Sequence, residues 1–206
     1  MNTTTLAILI PTFFFVSLTP GMCMTLSMSL GMTIGFRRTF WMIYGELFGV
    51  GLVAAASVVG VATVVLQYPL FFTLAKLLGG LYLGYLGFQL WLSKGKMALH
   101  TELKKNHRTS ALDLLLQGFI TAVANPKGWA FCIALLPPFI DQQQPFLNQL
   151  MVLLGVILCI EFFCLVIYAG GGRTLNHLLQ RNGSVQLINR IAGTAMLGVG
   201  IWLAIG

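Results

Sequence analysis

Apolar residues run along this chain in long blocks, and the polar ones gather in the gaps between them. About 20 largely apolar residues suffice for a helix to cross a bilayer. Six blocks reach that length: 5–31, 39–66, 69–92, 113–139, 147–171 and 185–205. The pattern therefore predicts an all-α integral membrane protein of six transmembrane helices. They are joined by GFRR, QYP, SKGKMALHTELKKNHRTS, DQQQPF and GGRTLNHLLQRNGSVQLINR. Two blocks are interrupted from within, the first by Pro20-Gly21 and the fourth by Asn125-Pro126. Proline inside a helix removes a hydrogen bond and crowds the preceding turn, so both helices should break there.

Composition agrees with this reading. The chain is 57% hydrophobic and only 8% charged, with a mean hydropathy of +0.87; a soluble domain draws roughly a quarter of its residues from Asp, Glu, Lys and Arg. The net charge of +7 does not point to nucleic acid, because the basic residues sit in connectors rather than across a face. Arg37, Arg38, Lys94, Lys96, Lys104, Lys105, Arg108, Arg173, Arg181 and Arg190 fall in the first, third and fifth connectors, and the second and fourth carry no lysine or arginine. Basic loops stay in the cytoplasm, so these odd connectors are expected inside and both termini outside. The N-terminal stretch lacks a basic n-region, and its apolar run is too long for the core of a secretory signal.

The longest connector, 93–112, divides a single transport domain, 1–206, into halves 1–92 and 113–206. Three spans per half make the halves enter the membrane in opposite senses. Each half begins with a proline-broken helix, the pattern of an inverted-repeat transporter with its site between the repeats. Backbone freed by a break survives in a membrane only when buried in protein or facing a watery cavity, and proline suits the first position of a new helix. Half-helices starting near Pro20 and Pro126 would thus bring two positive N-terminal ends together near the midplane, where they could hold a carboxylate. The expected substrate-binding residues are Pro20, Gly21, Met22, Asn125, Pro126 and Lys127. The plainer alternative is that both prolines merely kink helices for packing.

Four ionisable residues lie inside the spans: Glu46, Lys76, Lys127 and Glu161. A charge at the centre of an inserted helix costs at least ~2.5 kcal/mol, so each needs a partner or a role. Glu46 and Glu161 are the expected proton-coupling residues, with Glu46 the stronger candidate. A buried pair with Lys76 or Lys127 is the alternative for Glu161, and snorkelling to the headgroups the alternative for Lys76. Gly45/Gly49 and Gly80/Gly84 have the spacing that lets membrane helices approach closely. No phosphate loop, metal-ligand cluster or Ser-His-acid set is present, so neither enzyme chemistry nor a cofactor or metal is expected. His100, His107 and His177 read as solvated connector residues.

Several segments resemble the lysine-exporter (LysE/RhtB) family of bacterial amino-acid efflux proteins, in its threonine and homoserine/homoserine-lactone efflux branch. SLTPG with SLGMTIGFRR is similar to the family's opening Pro-Gly-Pro segment and the basic end of its first span, and YGELFG to its Gly-Asp/Glu motif. LAKLLGGLYLGYLGFQLW and QGFITAVANPKGWAFCIALLPPFI resemble its third span and its Asn-Pro-Lys span. The resemblance implies efflux of amino acids across the bacterial inner membrane, driven by proton antiport; the inverted halves suit alternating access. A basic substrate would want more intramembrane acid than two glutamates, so a small neutral amino acid, such as threonine, homoserine or its lactone, is the preferred substrate. The chain's partners would be an amino acid, protons and lipid, without nucleic acid; the oligomeric state stays open, a homo-oligomer included. Where the family usually continues Pro-Gly-Pro and a polar residue, this chain has Pro20, Gly21, Met22 and Cys23, which makes the pocket more apolar. A different class also fits the pattern: Cys23 and Cys132 near the breaks are what a transmembrane thiol–disulfide electron carrier (CcdA/DsbD-like) would show. Cys23, Cys132, Cys159 and Cys164 otherwise read as small buried hydrophobes. Metal-ion efflux on the same plan lacks the convergent ligands such ions need.

Overall fold

In the computed structural model, residues 3–67, 69–92, 109–136, 139–141, 143–180 and 184–205 are described, and all of the regular structure among them is helical. The elements are α1 (Thr3–Leu18), α2 (Met22–Thr33), α3 (Phe36–Gln67), α4 (Pro69–Leu92), α5 (Ala111–Val123), α6 (Pro126–Leu135), α7 (Phe146–Gln180) and α8 (Ser184–Ile205). Most of connector 93–112, with Lys94, Lys96, His100, Lys104, Lys105, His107 and Arg108, lies outside the described residues, as do Arg181 and the side chains of Lys76, Arg173 and His177. Phe36–Gly60 and Phe146–Gly172 are each long and apolar enough to cross a membrane, and Leu6–Leu18 with Met22–Thr33, bent by 55° at their break, has the length and hydropathy of a broken span or a re-entrant loop.

The first apolar block breaks as its sequence dictates, with one correction. Pro20 does not open the second half-helix: it lies in the gap, and α2 begins at Met22 behind an extended Gly21. The fourth block follows the rule more closely, since Asn125 is the N-cap and Pro126 the first residue of α6. The connector after the fifth apolar block starts as helix. Residues 173–180 continue as helix beyond Gly172, where a positive φ of 35° turns the chain. At the start of α5, Ser110 and Asp113 form a reciprocal capping box, so that helix begins at Ala111, two residues before the apolar block.

Glycines set the closest helix approaches. α3 lies against α5 so tightly that a methyl group on Gly45 would overlap the Leu115 carbonyl, and one on Gly118 the carbonyl of Met42. α8 meets α4 in the same way, a methyl on Gly200 falling 2.7 Å from the Gly80 carbonyl oxygen. The broken helices cross over to the opposite half of the chain: α1 packs on α7 and α8, while α5 and α6 pack on α3 and α6 also on α4. Arg38 donates to the Thr109 carbonyl at 2.5 Å, and Arg190 lies over the Trp91 ring at 5.2 Å.

Two apolar cores result. One joins Leu9, Phe13 and Val16 of α1 to Phe131 and Cys132 of α6 and Leu153 and Ile157 of α7. The other joins Cys23, Met24 and Met28 of α2 to Met42 and Ile43 of α3 and Leu165 and Tyr168 of α7. Outward faces are apolar too, with Phe48, Leu147 and Met151 more than 60% exposed, as expected of a surface that faces lipid rather than water.

Candidate functional site

Between the two cores lies a cavity of about 70 Å³, at the level of both helix breaks. Its lining includes Gly21, Glu46, Asn125, Lys127 and Glu161. Thus five residues expected from the sequence to bind substrate or couple protons meet at one place, although they come from the α1–α2 gap, α3, the α5–α6 gap, α6 and α7. Met22 is 39% exposed, and neither it nor Pro20 nor Pro126 lines the cavity.

The break in the first helix is satisfied from within the protein. The Val16 carbonyl would ordinarily accept from the N–H of residue 20, which proline lacks. Thr19 donates to it instead, through its N–H at 3.2 Å and its hydroxyl at 2.8 Å. Lys127 Nζ adds a third donor at 3.2 Å, reaching across from the other half of the chain. The Leu18 carbonyl accepts from the Tyr168 hydroxyl at 2.8 Å.

The two N-termini differ. At α6 the Asn125 Oδ1 accepts from the Lys127 N–H at 3.1 Å, so that N–H is occupied and does not face a ligand as the sequence suggested. At α2 no side chain caps the helix. The first N–H groups of a helix have no intrahelical acceptor, and this end borders the cavity at Gly21, Cys23 and Met24. Asn125 bridges the breaks: its Nδ2 contacts Cys23 Sγ at 3.7 Å.

The charges are arranged unevenly. Glu161, 8% exposed, has the Ser17 hydroxyl beside it and attracts Lys127. Glu46 is fully buried, and neither carboxyl oxygen has a hydrogen-bond partner. Its polar neighbours are Glu161 and the Cys23 thiol. Ser17 is a site residue that sequence reasoning had not placed here; the available signal was its position one helical turn from Phe13, on the buried face of α1. Cys23, expected near the first break, does line the cavity. All four cysteines are free, with Cys23 and Cys132 on the cavity wall.

Comparison with known proteins bears on what such a cavity does. The family described as LysE type translocator matches residues 14–206. An uncharacterised membrane protein of Vibrio cholerae is 29% identical over 91% of this chain and 90% of its own length. A homoserine/homoserine lactone efflux protein of Salmonella typhimurium is 28% identical over the same shares of the two chains. A leucine efflux protein of an Enterobacter species is 24% identical over 93% of this chain and 90% of its own. No solved structure matches. Neither the family match nor these relatives support a thiol–disulfide carrier.

Proposed function

Because the chain belongs to the LysE type translocator family, we propose that it exports small neutral amino acids across the bacterial inner membrane in exchange for protons. The observation that carries this reading is the meeting of both helix breaks, two buried carboxyls and one lysine on a single cavity. In this reading the six helical spans form two inverted halves, 1–92 and 113–206, around the cavity, with both termini outside. Two features support it. The broken helix of each half packs on the later helices of the other half. Residues flanking the first and third connectors also meet, Arg38 with Thr109, as do residues flanking the third and fifth, Trp91 with Arg190.

The uncapped first turn of α2 and the Lys127 ammonium receive the substrate carboxylate. Asn125 holds the breaks in register, and Glu46 and Glu161 carry the coupling charge. The apolar wall of Phe13, Val16, Val50, Val53 and Phe131 suits an aliphatic side chain, as leucine, named for one relative, would present. Homoserine and its lactone, named for another, share an ammonium group, while only homoserine has a free carboxylate. An exporter of both must rely on the amine. Alternating access then consists of the two halves rocking about the cavity.

The test is export from cells loaded with mixed dipeptides, following external amino acids over time for the protein, a Cys23→Ser/Cys132→Ser variant and an empty vector. Selective release of one or a few amino acids by both proteins is the expected result. Release no faster than with the vector, by protein shown to be in the membrane, contradicts the proposal.

A further inference from the structure

Glu46 lacks a counterpart that the rest of the cavity has. Lys127 and Glu161 attract each other across the cavity, and the lysine ammonium is engaged by the Val16 carbonyl. Glu46 is entirely buried on the cavity wall, and both its oxygens are unpartnered. The groups facing it from neighbouring helices are Cys23 of α2 and Glu161 of α7, with Asn125 and Lys127 across the cavity. On α4, Tyr82 and Tyr85 are exposed and turned outward, and Asp113 of α5 is held in its capping box with Ser110. Among the described residues no cation is matched to Glu46. A buried carboxylate beside a second acid is strongly unfavourable without a positive partner, so the site is built to admit one positive charge from outside the protein.

Two such charges are available under the export reading, on which this inference rests: a proton and the ammonium of an amino acid. We infer that Glu46 receives both in turn, so that one carboxyl binds the substrate's ammonium and carries the counter-transported proton. On the cytoplasmic side the ammonium replaces the proton, which leaves for the cytoplasm as the carboxylate pairs with the amine. On the outer side a proton enters, neutralises the carboxylate and frees the amine. One proton moves in for each amino acid moved out, and the site never holds the bare charge of Glu46. Mutual exclusion at one group makes the exchange obligatory, with no separate coupling pathway. The substrate class narrows accordingly to molecules with a protonated amine.

Purified protein in weakly buffered detergent solution tests this, with leucine and homoserine as probes and the 2-hydroxy analogue of leucine, which lacks the amine, as the comparison. Binding of either amino acid should release up to one proton, and affinity should rise with pH by up to about tenfold per unit while the carboxyl titrates. The hydroxy analogue should release no proton and bind at least about thirtyfold more weakly at a pH where the amino acids bind well, since it brings no ammonium to take the proton's place on the carboxyl. Glu46→Gln should abolish proton release, and Glu46→Asp should retain it. Should the glutamine variant fail to fold, proton release and the analogue comparison on the unaltered protein decide the matter alone. Amino-acid binding without proton release, or equal binding of the hydroxy analogue, overturns the inference and leaves export standing. Binding of neither leucine nor homoserine by the unaltered protein, together with no amino-acid release in the cell assay, overturns export and this inference together.

Discussion

The Val16 carbonyl shows how single residues shape this site. Pro20 deprives it of its helical donor, and Lys127, 111 residues away in sequence, contributes an ammonium in its place. A hydrogen bond from a charged group contributes about 1.5–3 kcal/mol; with both Thr19 donors remaining, the lower end applies here. Lys127→Met should therefore lower stability by about 1.5 kcal/mol, read by thermal denaturation in detergent. Adding Pro20→Ala should recover part of that loss, because residue 20 regains an N–H that can reach Val16. Strictly additive losses would show that Lys127 does not substitute for the missing donor. At this scale the sequence was informative where a residue was rare for its surroundings. Glu46, Lys127 and Glu161 are conspicuous in apolar runs, where every charge needs a reason. Ser17 was not, because hydroxyl groups are common in membrane helices and bond locally. The occupied N–H of Lys127 was also hidden, since it depends on which way the Asn125 side chain turns.

Among the elements, the closest contact is between α3 and α5. Gly45, flagged by its spacing with Gly49, lies directly against the Leu115 backbone, whereas nothing stands within 4 Å of a methyl group on Gly84. Gly45→Ala must force two helices apart and should cost about 1–3 kcal/mol. Gly84→Ala should be neutral or stabilising by up to about 1 kcal/mol, since alanine loses less backbone freedom in a helix. Melting of the two variants side by side checks this, and equal melting temperatures would contradict the packing described. Helix positions were largely legible because blocks of apolar residues must be helical in lipid. The exact sites of the breaks came from Pro20 and Asn125-Pro126. The apolar span ends at Gly172, close to where hydropathy put it, but the connector beyond it is helical over 173–180. Hydropathy reports burial in lipid, not helicity, and Arg, Leu and Gln in RTLNHLLQ are adequate helix formers in any solvent.

For the whole molecule, what matters is that the cavity belongs to neither half alone. Gly21 and Glu46 come from residues 1–92 and Asn125, Lys127 and Glu161 from 113–206, and the two apolar cores close above and below them. Any rocking of one half against the other must change this cavity first. That the residues converge could be guessed from paired breaks in opposite halves, but the uneven matching of charges, with Glu161 served and Glu46 not, emerges only in three dimensions. The measurement that bears most directly on the central claim uses Cys23, which lines the cavity, as the sole thiol in a Cys132→Ala/Cys159→Ala/Cys164→Ala protein that still exports. The rate at which a small methanethiosulfonate reagent modifies Cys23 is followed with and without the exported amino acid at saturating concentration. Several-fold protection by the amino acid is the predicted result. An unchanged rate in a protein that continues to export would mean that the substrate passes elsewhere.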